Sequence, residues 1–308
     1  MTKYIVSGYI GFDNFGDEAI AKCLIEKLKQ EDAEKITLIS SNPKKTEEIH
    51  GVHACKMLGF IPDLIKSDVL ISGGGSLLQD ITSRKSLIYY LLVIYTALFF
   101  RKKVEIFSQG IGPLTSKIGK FLTKIALKYC SKVSVRDKKS QEYLANWGIK
   151  AELVKDPVLE MNLEVLNKKG IVGVQLRDFP TLNTYFISKL AEEISKRFVD
   201  KKVQIFSLQD SIDLIPSRKL EEMIKANNPD IAVEILSNLS VADVFEKLSE
   251  LEYLIAMRFH ANVVGIRAGV KTAAINYDVK VQKLAEEYNL PLIKMDGSNL
   301  CEELNKLF

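Results

Sequence analysis

The sequence predicts an α/β protein built from two Rossmann-like, doubly wound domains that face each other across a cleft. The chain has 308 residues, which is enough for two typical domains of about 150 residues each. Short apolar runs alternate with helical patterns along it, as is typical of parallel sheets with helices on both faces. The alternation stops near Asp156-Pro157 and restarts at Ile171. The same architecture therefore occurs twice.

The first half contains six predicted strands, each a short β-rich run followed by Gly, Asp or Ser and then by a helical pattern. They are Tyr4–Ser7, Ile36–Ser40, Val69–Ser72, Val104–Ser108, Val133–Val135 and Ala151–Val154. Because these runs are almost continuously apolar, we expect strands that are buried on both faces. The first strand leads into a predicted helix, Glu18–Leu28.

The second half repeats the pattern after a polar stretch, Val158–Gly170, which we interpret as a hinge between domains 1–165 and 166–308. Its predicted strands are Ile171–Leu176, Val203–Leu208, Val233–Ile235, Tyr253–Ala256, Thr272–Ile275 and Pro291–Ile293. Amphipathic helices are predicted at Tyr185–Phe198 and Val241–Leu251. Since ligands of this architecture bind at the carboxyl ends of the strands, functional residues should directly follow strands.

Composition excludes several classes of protein. With 47% hydrophobic and 27% charged residues, the chain is neither disordered nor of low complexity. We interpret its net charge of +4 as spread along the sequence, and we therefore expect no nucleic-acid partner. An anionic substrate or an acidic lipid surface is still a possible partner. Four cysteines lie far apart, which suits a reducing cytosol. No signal peptide precedes the first strand, and we expect a cytoplasmic protein.

Two glycine-rich loops follow strands in the first half. In the first, Asn14 and Asp17 stand where a helix begins, so they either cap that helix or hold a polyhydroxyl or anionic ligand. The second contains three consecutive glycines ending at Gly75, followed by Gln79, and brings backbone N–H groups to a helix N-terminus. No Gly-Lys-Ser/Thr follows, so this loop is not a P-loop.

Three cations stand at predicted strand exits. They are Arg136, Arg258 and Lys280, and together they favour a small, doubly charged anion. His260, two residues after Arg258, is the best acid/base candidate. A zinc site at His50, His53 and Cys55 is a weak alternative because a fourth ligand is missing, and we expect no metal.

Five motifs, in this order, resemble the polysaccharide pyruvyl transferase family over nearly the whole chain. They are Gly11-x-x-Asn14-x-Gly16-Asp17-Glu18, Gly73-Gly74-Gly75-Ser76-Leu77-x-Gln79-Asp80, Gln109-Gly110-Ile111-Gly112-Pro113, Val135-Arg136-Asp137 and Arg258-Phe259-His260-Ala261. The branch most similar is the bacterial one that pyruvylates secondary cell-wall polysaccharide precursors for S-layer anchoring. The resemblance implies a GT-B-like pair of domains, with the acceptor on the N-terminal side and the donor on the C-terminal side.

The resemblance also implies a reaction. Phosphoenolpyruvate donates its pyruvyl unit to two sugar hydroxyls, giving a ketal and phosphate, with phosphoenolpyruvate as co-substrate and no further cofactor. The implied acceptor is a terminal β-linked N-acetylmannosamine, ketalised across O4 and O6, on a polyprenyl-diphosphate-linked glycan.

Site roles follow from the resemblance together with the residue chemistry. Arg136, Arg258 and Lys280 would bind phosphoenolpyruvate, and His260 would be the acid that protonates its C3 or the base for a hydroxyl. Asp17 would be a second catalytic residue, holding the sugar or deprotonating its hydroxyl. The residues expected to bind the acceptor are Asn14, Gly75 and Gln79.

The apolar stretch Leu87–Phe100 has fourteen residues, fewer than the roughly 18 to 20 that a spanning helix needs. Flanked by Arg84-Lys85 and Arg101-Lys102-Lys103, it is either a buried helix or a peripheral contact with the inner membrane leaflet.

Two other functions are compatible with the sequence: a glycosyltransferase that uses a nucleotide sugar, and a sugar- or anion-binding protein without catalysis.

Overall fold

The computed structural model describes residues 2–161 and 166–308. The chain divides into two compact units, Met1–Met161 and Asn162–Phe308. The predicted hinge, Val158–Gly170, overlaps a short helix at its start, and its central residues 162–165 lie outside the described residues.

The first unit contains a parallel sheet of seven strands in the order β3-β2-β1-β4-β5-β6-β7. The strands are β1 Lys3–Ser7, β2 Lys35–Ser40, β3 His53–Lys56, β4 Val69–Gly73, β5 Lys103–Gln109, β6 Lys132–Val135 and β7 Glu152–Leu153. Six of them coincide with the predicted strands. The seventh, β3, is not among the predicted strands, because its sequence, HACK, has no apolar run. Pairing with β2 at the sheet edge makes it a strand.

Six helices connect these strands, and a seventh, α7, follows β7. They are α1 Phe15–Gln30, α2 Pro43–His50, α3 Ile61–Lys66, α4 Arg84–Phe99, α5 Lys117–Lys128, α6 Lys138–Ala145 and α7 Pro157–Glu160. Among the described residues, no helix is long and apolar enough to cross a membrane. The apolar stretch Leu87–Phe100 lies in α4 and its C-cap.

The second unit contains a parallel sheet of six strands in the order β10-β9-β8-β11-β12-β13. The strands are β8 Ile171–Gln175, β9 Lys202–Phe206, β10 Val233–Leu236, β11 Tyr253–Ala256, β12 Lys271–Asn276 and β13 Leu292–Lys294. The helices are α8 Thr184–Arg197, α9 Asp210–Asn227, α10 Val241–Ser249, α11 Phe259–Arg267, α12 Val279–Tyr288 and α13 Leu300–Asn305. All six strands overlap the predicted ones.

Helices cover both faces of the first sheet, which explains the continuously apolar strands. Successive side chains of a strand point to opposite faces, so Ile5 of β1 packs in one core cluster with Leu87 of α4. Its neighbour Val6 packs in another cluster with Leu24 of α1. A strand with both faces buried has no position left for alternating polar residues.

The strand order reverses direction once in each sheet, between β1 and β4 in the first and between β8 and β11 in the second. Ligands of open α/β sheets bind beyond the carboxyl ends of the strands at such switch points. The loops that follow these four strands are therefore the places to look for chemistry.

Candidate active site

The switch point of the first sheet brings together the two predicted glycine loops. Asn14 precedes α1, and its side-chain oxygen accepts a hydrogen bond from the Gly16 N–H at 3.1 Å. Of the two predicted roles for Asn14, the helix cap is the one its oxygen performs. Asp17 lies in the first turn of α1, and a Cβ placed on Gly75 would come within 3.0 Å of its Oδ1. Gly75 has φ +65°, so this close approach suits glycine alone.

A buried hydrogen bond between Glu18 and His50 anchors the first loop. Glu18 Oε1 accepts from the Gly11 N–H at 2.7 Å, and its Oε2 contacts His50 Nε2 at 2.8 Å. Both side chains are almost completely buried. His50, at the end of α2, therefore holds the loop that carries Asn14, a role that sequence reasoning missed.

The alternative zinc site does not form from these residues. His53 contacts Glu47 Oε1 at 2.8 Å, whereas His50 contacts Glu18. In the described part of the chain, no group of three or more His, Cys, Asp and Glu is placed to hold a metal ion. Burial also raises the pKa of the Cys55 thiol to about 11.

Gln79 and Asp80 shape the second loop. Gln79 Oε1 accepts from the backbone N–H groups of Ile81 at 2.9 Å and Thr82 at 3.1 Å, and its amide nitrogen donates to the Thr82 hydroxyl. Both ends of the Gln79 amide are thus engaged within the loop. These contacts favour a structural role for Gln79, and its predicted contact with the acceptor stays a prediction.

Asp80 joins this loop to the segment before α5. Its carboxylate accepts from the backbone N–H groups of Thr115 at 2.7 Å and Ser116 at 2.8 Å. Burial by itself raises the pKa of this carboxyl, but hydrogen bonds from Ser116 and Thr115 outweigh it, so the pKa lies below its usual value of 3.8.

Arg136 reaches the same loop from the other side. It follows β6, and its Nη1 donates to Asp156 Oδ2 at 2.7 Å while Nη2 donates to the Ser76 hydroxyl at 3.4 Å. Both members of the Arg136–Asp156 pair are largely buried. Arg136 thus contacts the second glycine-rich loop, through Ser76, within the first unit.

In the second unit, Arg258 lies in a buried hydrogen-bond network at the start of α11. Its Nε and Nη2 donate to the two carboxylate oxygens of Asp213 at 2.8 and 2.7 Å. Nη2 also donates to Gln209 Oε1 at 3.1 Å, and the backbone N–H donates to Gln175 Oε1 at 2.8 Å. Within the described residues, Nη1 is the guanidinium nitrogen that donates to no acceptor.

His260 lies in the first turn of α11, two residues after Arg258. Asn262 fixes this turn, because its amide nitrogen donates to the carbonyls of Ala256 at 3.1 Å and Arg258 at 2.9 Å. The first turn of a helix presents backbone N–H groups and the positive end of the helix dipole. An anion placed beside the first turn of α11 is therefore favoured by the backbone of that turn.

Arg177 is a further cation at a strand exit, and it is not among the residues selected from the sequence. It follows β8, on the other side of the switch point from Arg258. Its guanidinium lies over the rings of Phe179 and Tyr277, at 5.8 and 5.4 Å from their centroids. The ring contacts hold the guanidinium at this edge of the sheet.

Lys280 is the third of the cations that the sequence predicts at strand exits. It lies in the first turn of α12, where the Asp278 side chain caps the helix by accepting from the Lys280 N–H at 2.8 Å. Its side chain is exposed. Because β11 and β12 are neighbours, Lys280 follows the strand next to the one that leads to His260.

A sequence model of the polysaccharide pyruvyl transferase family matches residues 14–279 of this chain. A search of curated proteins finds no match.

Solved structures match the chain over its whole length at low identity. UDP-GlcNAc 2-epimerase from Neisseria meningitidis, bound to UDP-GlcNAc, has a TM-score of 0.63 and 10% identity, covering 99% of this chain and 91% of that one. Anabaena Alr3699/HepE with UDP and glucose has a TM-score of 0.62 and 13% identity, covering 99% and 89%. S. aureus MnaA with UDP has a TM-score of 0.64 and 10% identity, covering 100% and 88%. At such identities the likeness shows the fold alone, and it confirms the predicted GT-B class.

Proposed function

Since this chain belongs to the polysaccharide pyruvyl transferase family, we propose that it transfers the pyruvyl group of phosphoenolpyruvate to two hydroxyls of one sugar. The products are a pyruvyl ketal and inorganic phosphate. The acceptor we propose is a terminal β-linked N-acetylmannosamine on a polyprenyl-diphosphate-linked cell-wall glycan, with O4 and O6 as the reacting hydroxyls.

The observation that supports the proposal is that three cations follow neighbouring strands at the carboxyl edge of the second sheet, the edge at which His260 also lies. Arg177 and Arg258 follow the two strands of the switch point, and Lys280 follows the next strand. Phosphoenolpyruvate bears a carboxylate and a phosphate on three carbons, so it needs several cations at short range. A nearby helix N-terminus adds backbone donors for one of its anionic groups.

The reaction requires that a proton is added to C3, that each of the two hydroxyls loses its proton, and that two new carbon–oxygen bonds form at C2. Protonation of C3 makes C2 electrophilic, and one sugar hydroxyl adds to C2 and loses its proton. Phosphate then leaves from C2, the second hydroxyl adds there, and its proton ends on phosphate. His260 is proposed either as the acid that protonates C3 or as the base that accepts the first hydroxyl proton.

The other residues have distinct proposed roles. The Nη1 group of Arg258 binds the donor while Asp213 holds the rest of its guanidinium, and Lys280 binds a second anionic oxygen. Arg136 is proposed as a further donor ligand. In the first unit, Asp17 is proposed to orient or deprotonate the sugar hydroxyl.

The decisive experiment incubates the full chain with phosphoenolpyruvate and a synthetic lipid-linked β-N-acetylmannosamine acceptor, and follows phosphate release and acceptor mass. We expect one phosphate for each ketal formed. Nucleoside diphosphate released from a sugar nucleotide instead would establish the glycosyltransferase alternative, and ligand binding without turnover would establish the binding-protein alternative.

The variant His260→Ala tests the catalytic residue. We expect ketal formation to fall by about 100-fold or more, the usual contribution of a general acid or base, with an unchanged circular dichroism spectrum. His53→Ala is the matched control, since this exposed histidine lies outside the candidate site. Activity that survives in His260→Ala would remove His260 from the mechanism. The pH dependence of kcat/KM in the wild type then separates the acid role, which fails at high pH, from the base role, which fails at low pH.

A further inference from the structure

Helices α4 and α5 pack against each other in the first unit and bury only one side of each. The Tyr95 hydroxyl of α4 donates to the Leu122 carbonyl of α5 at 2.7 Å. Gly119 of α5 approaches Leu87 of α4 so closely that an added Cβ would lie 3.0 Å from the Leu87 side chain. The buried side of α4, with Leu87 and Leu91, belongs to the core under the sheet.

The opposite sides of the two helices are apolar and exposed. Each of six side chains here exposes more than half of its surface, and Phe99 exposes 81%. We call them the α4–α5 face: Ile88, Leu92, Phe99, Ile118, Phe121 and Tyr129. Exposed apolar residues scattered singly are ordinary, but a contiguous patch of this kind marks an interaction surface.

A groove joins the two helices at the end of the face that contains Phe99 and Tyr129. It has a volume of about 710 Å³ and is lined by Tyr95 and Phe99 of α4, by Ile125 of α5 and by Tyr129 just after it. Arg101 and Lys102 line the same groove. Apolar side chains of both helices therefore meet cations at this end of the face.

Positive charge surrounds the face. Four lysines, spaced three or four residues apart, form a stripe along α5 beside its apolar side: Lys117, Lys120, Lys124 and Lys128. From Arg84 to Lys132 the chain has ten Lys and Arg and one acidic residue, Glu105. The whole chain has 43 basic and 39 acidic residues, so the rest of it is net negative. The interpretation that charge is spread along the sequence is thus wrong for this segment.

We propose that the α4–α5 face docks onto an anionic phospholipid bilayer. Its apolar centre would enter the boundary between headgroups and acyl chains, while the lysines and arginines reach anionic headgroups. A nucleic acid offers phosphates but no apolar phase for these side chains. A second copy of the chain, related by a two-fold axis, would bring the lysine stripes of both copies to one contact.

Docking would bring the enzyme to the surface where a lipid-linked sugar lies, yet it does not depend on the donor or acceptor proposed above. Its test is vesicle binding without substrates. The full chain is mixed with vesicles of phosphatidylcholine, with and without phosphatidylglycerol, and its flotation is measured at low and high salt. We expect binding that requires phosphatidylglycerol and weakens with salt.

Two sets of variants separate the apolar and charged contributions. Phe99→Gln with Phe121→Gln should weaken vesicle binding by about tenfold or more. Lys117→Gln, Lys120→Gln and Lys128→Gln together should weaken it by about 100-fold at low salt. The matched control is Leu58→Gln with Ile215→Gln, because these apolar residues are 95% and 71% exposed but lie outside the face. Thermal unfolding checks that every variant is folded.

Four results would overturn the proposal. The first is that the wild type does not bind phosphatidylglycerol vesicles. The second is that the Phe99/Phe121 variant binds them as well as the wild type does. The third is a dimer in sedimentation velocity that Phe99→Gln dissociates, which would make the face a self-contact. The fourth is tighter binding to a single-stranded oligonucleotide that depends on the lysines and not on the phenylalanines.

Discussion

Asp213→Asn should destabilise the second unit strongly, because it leaves the Arg258 charge without its counter-ion. Asp213 is fully buried and the Arg258 side chain nearly so. Asp213 Oδ2 accepts from Arg258 Nε, the Gln175 amide and the backbone N–H groups of Leu208 and Gln209. Asparagine replaces one of the two carboxylate oxygens by an NH₂ group. If this group takes the place of Oδ2, it faces the four N–H donors that bind Oδ2 in the wild type; if the amide is flipped, it faces the donor Arg258 Nη2.

Breaking a buried ion pair by removing one partner costs about 3 to 5 kcal/mol. For a domain of this size, each kcal/mol lowers Tm by about 2 to 4 °C, so the expected fall in Tm is on the order of 10 °C. Urea unfolding followed by far-UV circular dichroism measures the change in the free energy of unfolding. Trp147, the single tryptophan, reports by fluorescence on the first unit.

The control is Asp230→Asn, the same change at an exposed carboxylate of the second unit, which should stay within about 0.5 kcal/mol of the wild type. The double variant Asp213→Leu with Arg258→Met removes both charges and should recover part of the lost stability. Recovery should be incomplete, because the buried backbone N–H groups of Leu208 and Gln209 lose their acceptor. The double variant should not recover pyruvyl transfer, because the proposed donor contact of Arg258 is lost. A loss below about 1 kcal/mol in Asp213→Asn would refute the buried-pair reasoning.

Three further predictions concern the first unit. Gly75→Ala should raise KM for the acceptor more than Gly148→Ala does. Both glycines have positive φ, +65° and +70°, so each alanine should lower the free energy of unfolding, measured in urea, by about 1 to 2 kcal/mol. Only the Cβ at Gly75 meets Asp17, and equal KM values would contradict the proposed role of Asp17. His50→Ala should cost about 1 to 3 kcal/mol of unfolding free energy, because buried Glu18 loses a hydrogen-bond partner, whereas exposed His53→Ala should cost little; equal losses would argue against the Glu18–His50 anchor. Asp80→Asn should lower the free energy of unfolding most at pH values above the usual aspartate pKa of about 3.9. A carboxyl whose pKa is lowered by folding contributes its full stabilisation in that pH range. This difference in urea midpoint should shrink as pH falls through the folded pKa, and a pH-independent difference would contradict the lowered pKa of Asp80.

Strand positions were predictable because burial on both faces of a sheet forces a continuous apolar run. The one strand that was missed, His53–Lys56, shows the limit of that signal. It lies at the sheet edge, where only Ala54 and Cys55 are buried. Its backbone pairs with β2 without a local apolar pattern, so the sequence around it reads as a loop.

For the candidate site, residue position was predictable and side-chain partnership was not. Residues that follow strands in a parallel sheet share one edge, so Arg258, His260 and Lys280 could be assigned together. The partners come from elsewhere in the chain: Asp213 lies on α9, forty-five residues before Arg258, and Asp156 lies twenty residues after Arg136. Asn14 could be read as a cap or a ligand contact until the Gly16 hydrogen bond was placed.

The sequence by itself determined the two α/β halves, the family and the edge of each sheet at which the candidate site residues lie. These follow from local periodicity and from motifs that lie within a few residues of one another. Tertiary structure decided which charges are compensated in the interior, which glycine faces Asp17, and that the apolar side of α5 extends the exposed side of α4. Such facts depend on contacts between residues distant in the chain, and only packing determines which side chains a buried group meets.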